Sequence, residues 1–390
     1  MNTVRMTVAR TADPAQRKTL TDYEQIGFSV EANLADGHAY QGLSHSQAEI
    51  VERMSDLWAY SEAQSIPEST QIYVDRYADL IGSAYLPDAS THLILPTASN
   101  SIDLVAAYLK LRHSRVLLTH PTFDNLALIL RRRGVDLYPV TEPEVAGALP
   151  LAPKLAETDV LFLVNPNNPT GTNLSKERFE EIVHACLRHD VMLVIDTSFR
   201  LFYPQNWDDY QILHESGVSF ILFEDTGKVF PTQDMKASLF TCSPDNRAAL
   251  HEIYNEIYLC VSKFTLAVLG DFFDNARREG LDQSVHSLVA QRRSRAREML
   301  GEEVIDPTAR DSRISVEWIS TSNIGQSDKT VTAELHERGV GVLPGRGFFW
   351  NRADEEAGVS NIRMSLMKPE PEFERGLEIL ANYFAEVTHR

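Results

Sequence analysis

From residue 92 onward, short apolar runs alternate with helical stretches, and this alternation constrains the fold more than any other feature of the sequence. The apolar runs predict buried strands and lie at residues 92–97, 115–120, 159–165, 191–196 and 218–224. Helical patterns separate several of them, at residues 101–112, 125–134 and 175–190. Strand–helix–strand repetition builds a mostly parallel sheet with helices on both faces. We therefore predict an α/β fold.

The segments on either side of this alternation predict further units. A helix is expected over residues 44–63, where Ser44 can act as N-cap and Gln47 lies three residues later. After the last strand, the pattern predicts a long helical region and then a mixed tail: 245–300 helical, 314–320 strand, 329–339 helix, 361–366 strand and 370–388 helix. This organisation predicts an N-terminal segment (1–44), a large domain (45–300) and a small α+β C-terminal domain (301–390).

Composition narrows the classes of function. The sequence has 37 basic and 55 acidic residues, and the resulting net charge of −18 disfavours binding to nucleic acid or to an anionic membrane surface. The three cysteines show neither a metal-ligand spacing nor a disulfide framework, so no metal site is expected. No apolar stretch approaches membrane-spanning length, and the first residues lack the apolar core of a signal peptide. We expect a cytoplasmic protein.

Polar residues stand where several of the predicted strands end. Strand 159–165 leads into the stretch NPNNPTG, which contains Asn168, and strand 191–196 ends in Asp196. Lys228 follows the next strand, while Ser99 and Asn100 open the helix after the first one. In an open α/β sheet, ligands bind at the carboxyl ends of the strands. One edge of the sheet is therefore expected to gather an amide, a carboxylate, a lysine and a helix N-terminus.

Pyridoxal phosphate chemistry requires this set of groups. With NPNNPTG, Asp196 and Lys228 in this order, the chain resembles the fold-type I pyridoxal-phosphate enzymes of the aspartate aminotransferase group over residues 45–390. The resemblance implies that Lys228 is the Schiff-base lysine, that Asp196 partners the pyridinium nitrogen and that Asn168 contacts the ring hydroxyl. It also implies a homodimer.

The same resemblance assigns further cofactor and substrate contacts. Ser99, Asn100 and Ser198 would bind the cofactor, and Phe123, in the stretch HPTFDN, would stack on its ring. Arg363 would pair with a substrate α-carboxylate, which suits guanidinium geometry.

Two positions depart from the pattern of the group. The usual tyrosine three residues after the aspartate is Phe199, so a hydroxyl that normally reaches the cofactor is missing. The usual phosphate-binding arginine eight residues after the lysine is Lys236, which supplies charge without the planar fork.

Five short motifs in one order indicate a narrower resemblance. The stretches ADGHA, HPTFDN, NNPTG, DTSFR and EDTGK are similar to those of the pyridoxal-phosphate-dependent L-arginine oxidases of enduracididine-type natural-product biosynthesis. This resemblance begins at about Leu20 and implies that the N-terminal segment closes over the active site as a lid.

The narrower resemblance also assigns residues to the substrate. Thr21 and Glu24 would hold the guanidinium, together with Asp36 and Asp225, and His38 would assist a hydroxylation step. A buried guanidinium needs carboxylate partners. Thr21 and Glu24 also match a helix capping box, so the sequence leaves cap and ligand open for this pair.

The expected function is an oxidase that uses L-arginine and O₂ to give 2-ketoarginine, 4-hydroxy-2-ketoarginine or a dehydro product, with ammonia and reduced oxygen. The alternative is a class I/II aminotransferase that takes a basic or aromatic amino acid and a 2-keto acid. A non-catalytic effector domain of an aminotransferase-like transcription regulator is disfavoured for two reasons. The chain is acidic, and the segment before the predicted fold is too short for the N-terminal DNA-binding module of such regulators.

Overall fold

A computed structural model describes residues 18–86, 92–204 and 206–388, and it confirms the α/β fold. The beginning of the predicted N-terminal segment, residues 1–17, lies outside the described residues. The α-helices of the described residues are α1 Leu20–Gly27, α2 His45–Glu52, α3 Met54–Glu62, α4 Ile66–Ile81, α5 Ala98–Leu111, α6 Asp124–Arg132, α7 Glu142–Val145, α8 Ala152–Leu155, α9 Lys176–His189, α10 Asp209–Ser216, α11 Arg247–Ile257, α12 Lys263–Glu279, α13 Ser287–Leu300, α14 Asp328–Glu337, α15 Glu356–Val359 and α16 Glu370–Thr388.

The strands form three sheets. In chain order they are β1 Ala32–Asn33, β2 His92–Leu95, β3 Arg115–His120, β4 Asp136–Thr141, β5 Val160–Val164, β6 Met192–Asp196, β7 Phe220–Phe223, β8 Ser238–Cys242, β9 Val316–Ser320, β10 Val340–Gly341, β11 Leu343–Pro344 and β12 Asn361–Ser365. The largest sheet has the order β2-β8-β7-β6-β5-β3-β4. Its strands from β7 to β4 pair in parallel, and β8 runs antiparallel to both of its neighbours.

The central strands explain the apolar runs of the sequence. Every residue of β5, β6 and β7 is buried, because helices cover both faces of the sheet. A parallel sheet buried in this way requires apolar residues in succession rather than in alternation. The carboxyl ends of these three strands all lie at one edge of the sheet.

The N-terminal segment joins the C-terminal part of the chain. Strand β1 pairs in parallel with β10, and the Ala32 N–H donates to the Gly339 carbonyl at 2.9 Å. Strands β11, β12 and β9 form a separate antiparallel sheet. The division at 44/45 and 300/301 stays a prediction. Buried residues on both sides of each point belong to one apolar cluster.

Two predicted helices are interrupted. The one expected over 44–63 begins as predicted, with a Ser44–Gln47 capping box, but it breaks at Arg53 into α2 and α3. The region 245–300 contains α11, α12 and α13, which are separated near Leu259, at φ 58°, and near Gly280, at φ 81°. Positive φ values end a right-handed helix. None of the helices in the described ranges combines the length and apolar character needed to cross a bilayer.

Candidate active site

A cavity of about 380 Å³ lies at the carboxyl ends of β5, β6 and β7, beneath helix α1. The cavity wall brings together thirteen of the fourteen site residues predicted from sequence: Thr21, Glu24, Asp36, His38, Ser99, Phe123, Asn168, Asp196, Ser198, Asp225, Lys228, Lys236 and Arg363. Asn100 is the exception. Its side-chain oxygen accepts a hydrogen bond from the Thr97 hydroxyl at 2.8 Å, which holds it at the start of α5 and away from the wall.

Lys228 stands in a short turn directly after β7. The Asp225 side chain begins this turn by accepting the Gly227 N–H at 2.7 Å. Glycine at 227 leaves space for two neighbouring side chains, because a Cβ there would lie 2.9 Å from Lys236 Cδ and 3.0 Å from Asp225 Oδ1. Lys228 Nζ makes no hydrogen bond or ion pair with another described residue, so its amine faces the cavity without a protein partner.

Asp196 is the last residue of β6, and its carboxyl group is buried. Its Oδ1 accepts the Ser198 N–H at 2.9 Å and the Ser198 hydroxyl. Burial raises the pKa of Asp196 to about 6; the Ser198 hydrogen bonds and Lys228 act against this rise, and the Asp225 charge adds to it. A cation beside this carboxyl would stabilise its charged form.

Helix α1 covers the cavity with one face. Thr21, Glu24 and Phe28 line the cavity at helical spacing. The N-cap is Thr19, which forms a capping box with Asp22, so the Thr21–Glu24 pair is not the cap. The structure therefore excludes the cap for this pair and places both side chains at the cavity, while their role as substrate ligands stays a prediction.

Buried contacts hold helix α1 in this position. Leu20 is buried in an apolar cluster with Phe348 and Trp318. The Leu20 N–H donates to Asp124 Oδ2 at 2.9 Å. Gly347 leaves room for this packing, because a Cβ at that position would lie 2.3 Å from Leu20 Cδ2.

Arg363 is 1% exposed and lies between two aromatic rings. Its guanidinium carbon is 5.8 Å from the Phe123 ring centre and 5.6 Å from that of Phe348. Glu24 Oε1 lies 3.6 Å from Arg363 Nη2, and Asn168 Oδ1 lies 3.4 Å from Nη1. Burial lowers the pKa of Arg363, and the nearby Glu24 carboxylate opposes that shift. Helix α1 thus places a carboxylate against the arginine that was predicted to bind a substrate carboxylate.

His38 lies between an acid and a lysine. Its Nδ1 is 2.6 Å from Asp36 Oδ1, and its Nε2 is 3.0 Å from Lys236 Nζ. Burial raises the pKa of Asp36, but the hydrogen bonds from His38 and the charge of Lys368, 3.8 Å away, act against this and hold that pKa well below its usual range.

Sequence analysis missed three residues of this region. Asp234 lines the cavity 3.7 Å from Lys236 Nζ, and the Tyr40 hydroxyl donates to Asp234 at 3.1 Å. Burial, followed by the charges of Asp36 and Asp234, raises the pKa of Tyr40. Lys368 is 1% exposed and lies over the Tyr40 ring. These three residues do not stand at the ends of the predicted strands, so the sequence pattern did not select them. The fold brings them together from separate segments.

The arrangement fits a pyridoxal phosphate cofactor. Lys228 offers an unpaired amine, and Asp196 offers a buried carboxyl that a pyridinium would stabilise in its charged form. The N-terminus of α5, beside Ser99, and the ammonium of Lys236 supply the positive field that a phosphate requires. Within the described residues, no group of three or more His, Cys, Asp or Glu side chains is arranged to hold a metal ion.

Comparison with known proteins agrees with this geometry. Residues 24–380 match the family Aminotransferase class I and II, and the chain belongs to that family. The fold is similar to that of aspartate aminotransferase from Thermus thermophilus with maleate, at 17% identity and a TM-score of 0.76, over 96% of this chain and 99% of that one. It is also similar to the structure of MppP soaked with the product 2-ketoarginine, at 34% identity and a TM-score of 0.85, over 90% of this chain and 99% of that one.

Curated relatives in the family are aminotransferases. Histidinol-phosphate aminotransferase of Paramagnetospirillum magneticum is 32% identical over 33% of this chain and 37% of its own length. LL-diaminopimelate aminotransferase of Maridesulfovibrio salexigens is 24% identical over 59% of this chain and 62% of its own. The chain thus spans between about two fifths and three fifths of the length of these relatives.

Proposed function

We propose that this enzyme is a pyridoxal-phosphate-dependent oxidase that acts on L-arginine with O₂. The observation that carries the proposal is the excess of acid in the cavity. Five carboxylates line it against three cations: Glu24, Asp36, Asp196, Asp225 and Asp234 against Lys228, Lys236 and Arg363. A cofactor phosphate would add further negative charge. Such a pocket favours a substrate whose side chain is a cation.

Asp225 supports this proposal most directly. It is 8% exposed, and it forms an ion pair with no lysine, arginine or histidine in the described part of the chain. A buried carboxylate without a cation is costly, and a guanidinium is the group that best matches it. The 34% identity to MppP, whose structure was soaked with the product 2-ketoarginine, supports an arginine-like ligand.

The Glu24–Arg363 contact suggests how the lid responds to substrate. A substrate α-carboxylate on Arg363 would displace Glu24, which lies 3.6 Å away. Because Glu24 and Thr21 share one face of α1, the freed carboxylate can turn to the substrate guanidinium. The lid would then lose one ion pair and gain another, with the pocket kept closed.

Each cofactor contact has a candidate residue. Bound pyridoxal phosphate supplies an aldehyde and an electron-accepting ring. We propose that Asp196, positioned by Ser198, holds the ring nitrogen, that Asn168 contacts the ring hydroxyl and that Phe123 lies against the ring. Ser99 and Lys236 would hold the phosphate. Asn100 would contribute at most through its backbone, since its side chain is bonded to Thr97.

Residues of this chain would then transfer the proton and exclude water. Lys228 Nζ would remove the proton from the substrate Cα, and α1 would keep bulk water from returning one. Phe199, 4% exposed, offers no hydroxyl to this step. In balance, arginine, O₂ and water give 2-ketoarginine, ammonia and hydrogen peroxide. A second two-electron oxidation by O₂, with water added at C4 near His38, gives the 4-hydroxy product.

The second candidate is an aminotransferase that uses a basic or aromatic amino acid and a 2-keto acid. It is favoured by the curated relatives, whose names describe aminotransferases. An O₂-electrode trace of the purified enzyme with L-arginine, without a keto acid, separates the two. The oxidase predicts O₂ uptake specific to arginine, with 2-ketoarginine by mass spectrometry. Turnover that starts with an added keto acid and consumes no O₂ would establish the aminotransferase.

Replacement of Glu24 tests the substrate assignment. We expect Glu24→Gln to lower the preference for L-arginine over L-norleucine, in kcat/KM, by roughly 10- to 100-fold, the value of a charge-assisted hydrogen bond. Glu31→Gln is the matched control, because Glu31 is exposed and pairs with Arg375 at 3.1 Å. An unchanged preference in Glu24→Gln would remove Glu24 from the guanidinium site.

We also propose that the enzyme is a homodimer. Trp58, Ile66 and Leu259 are 61%, 48% and 72% exposed. They lie on α3, on α4 and just before α12, and α12 packs against both of the other helices. Large apolar side chains exposed together favour burial against a partner, and the family resemblance makes a second copy that partner. Light scattering should give about twice the chain mass of 43.9 kDa. A mass equal to one chain would refute the dimer.

A further inference from the structure

The imidazole of His38 contacts two charged groups at its two nitrogens. Nδ1 lies 2.6 Å from Asp36 Oδ1, and Nε2 lies 3.0 Å from Lys236 Nζ. Asp36 is 3% exposed, and the side chain of Lys236 is 17% exposed, so both contacts are largely shielded from solvent. This geometry limits where the protons of the ring can be.

The proton positions follow from the donors and acceptors. An ionised carboxylate only accepts hydrogen bonds, so Nδ1 must carry the hydrogen that points at Asp36. An ammonium only donates, so the Nε2 facing Lys236 must present its lone pair. Because lysine is intrinsically far more basic than histidine, the proton in this second hydrogen bond belongs to Lys236. His38 is therefore neutral, with a proton on Nδ1 and an acceptor at Nε2.

We propose that Lys236 is a positioning residue for His38, because it holds the ring in this tautomer and keeps Nε2 as a proton acceptor. The inference deepens the proposed function, in which His38 assists the addition of water. The lone pair on Nε2 of a neutral imidazole can take a proton from water once Lys236 releases it, whereas an imidazolium has no lone pair to offer. Without Lys236, the Asp36 carboxylate would favour a second proton on the ring.

The local packing keeps Lys236 and His38 together. The Ala39 N–H donates to the Gly227 carbonyl at 3.0 Å, which ties the His38 segment to the turn before Lys228. A Cβ on Gly227 would lie 2.9 Å from Lys236 Cδ and 3.3 Å from His38 Cδ2. Glycine at this position thus allows the lysine stem and the imidazole to share one space.

Other charged groups surround the pair without replacing either contact. Asp234 Oδ1 is 3.7 Å from Lys236 Nζ, and Lys368 Nζ is 3.8 Å from Asp36 Oδ2. The remaining charged or titratable groups of the same wall are Glu24, Tyr40, Asp196, Asp225, Lys228 and Arg363. Lys236 is the group at hydrogen-bond distance from Nε2, so its removal should change the protonation of that nitrogen more than any other.

The same ammonium is the predicted partner of the cofactor phosphate. A lysine carries three donors on one nitrogen, so it can contact a phosphate and His38 at once. The proposal therefore links cofactor binding to the state of His38 through a single residue. The planar guanidinium of an arginine could also donate to Nε2, which makes Lys236→Arg the conservative comparison.

The test is ¹⁵N NMR of histidine-labelled enzyme near neutral pH, with and without bound cofactor. His38→Asn identifies the His38 signals by their loss. In the wild-type protein we expect Nδ1 to be protonated and Nε2 to have the shift of an unprotonated nitrogen. Lys236→Met should move Nε2 to the protonated range, and Lys236→Arg should restore the wild-type pattern.

Two outcomes would overturn the inference. One is a protonated Nε2 in the wild-type enzyme, which needs no variant to fold. The other is a Lys236→Met spectrum equal to that of the wild type. Neither depends on turnover, so the inference can fail while O₂ uptake is observed. Conversely, a confirmed tautomer in an enzyme without O₂ uptake would refute the proposed function alone.

Discussion

Lys228→Ala should lower the turnover of L-arginine by at least roughly 10³-fold, because the variant loses both the amine that binds the cofactor and the base that would remove the Cα proton. Lys228 Nζ faces the cavity and pairs with no other residue in the described ranges, so its replacement breaks no ion pair there. The fold should therefore persist. Borohydride reduction followed by mass spectrometry should find cofactor fixed to the wild-type chain and none fixed to the variant.

Lys329→Ala provides the matched control, since Lys329 is exposed on α14. This variant should keep wild-type turnover and covalent labelling. Cofactor fixed to the Lys228→Ala chain, or turnover within tenfold of the wild type, would assign the Schiff base to another lysine.

The strand-end residues of the site were predictable because parallel strands share the direction in which they end. Asn168 follows β5, Asp196 ends β6 and Lys228 follows β7, and these three strands are neighbours in the sheet. Three neighbouring parallel strands are enough to bring these residues to one edge of the sheet, and buried strands are easily recognised in the sequence by their apolar runs.

Other strands escaped prediction for local reasons. β4 is an edge strand that contains Pro139 and exposes Asp136, so its pattern differs from that of a buried strand. β8 is fully buried but has polar residues at Ser238 and Thr241. Local sequence also gives no sign that β8 runs against its neighbours, because direction is set by the path of the chain between strands.

The charge pairs of the site could not be predicted from sequence. Glu24 meets Arg363, and His38 meets Lys236, although each pair joins segments that are far apart in the chain. The family resemblance implied a role for each of these residues by itself, but not which residues contact each other. Which carboxylate faces which cation depends on side-chain packing between the N-terminal segment and two other parts of the fold, and motif order carries no information on that packing.

Asp196→Asn should change stability and activity in opposite directions. In the cofactor-free enzyme, burial raises the pKa of Asp196 from 3.8 to about 6. A raised folded-state pKa stabilises the fold below pH 3.8, and this contribution is lost as the pH rises through about 6. The loss amounts to about 3 kcal/mol at neutral pH. Asparagine is neutral and can still accept the Ser198 hydrogen bonds, so it avoids the cost of the buried charge.

The measurement is urea unfolding of the cofactor-free wild type and variant at several pH values. The variant should gain stability over the wild type as the pH rises from about 4 to about 7, by up to about 3 kcal/mol. Asp79→Asn, an exposed aspartate on α4, should show no such gain. A difference that does not vary with pH would contradict the raised pKa.

The same variant should lose activity, because asparagine cannot hold the proton on the pyridine nitrogen that the ring needs to accept electrons. We expect kcat for L-arginine to fall by roughly 100-fold or more, while covalent cofactor binding at Lys228 persists. Gain in stability together with loss of turnover is the mark of a charge kept for chemistry, since a carboxylate that served the fold would cost stability when removed. Wild-type turnover in Asp196→Asn would show that another group partners the ring nitrogen.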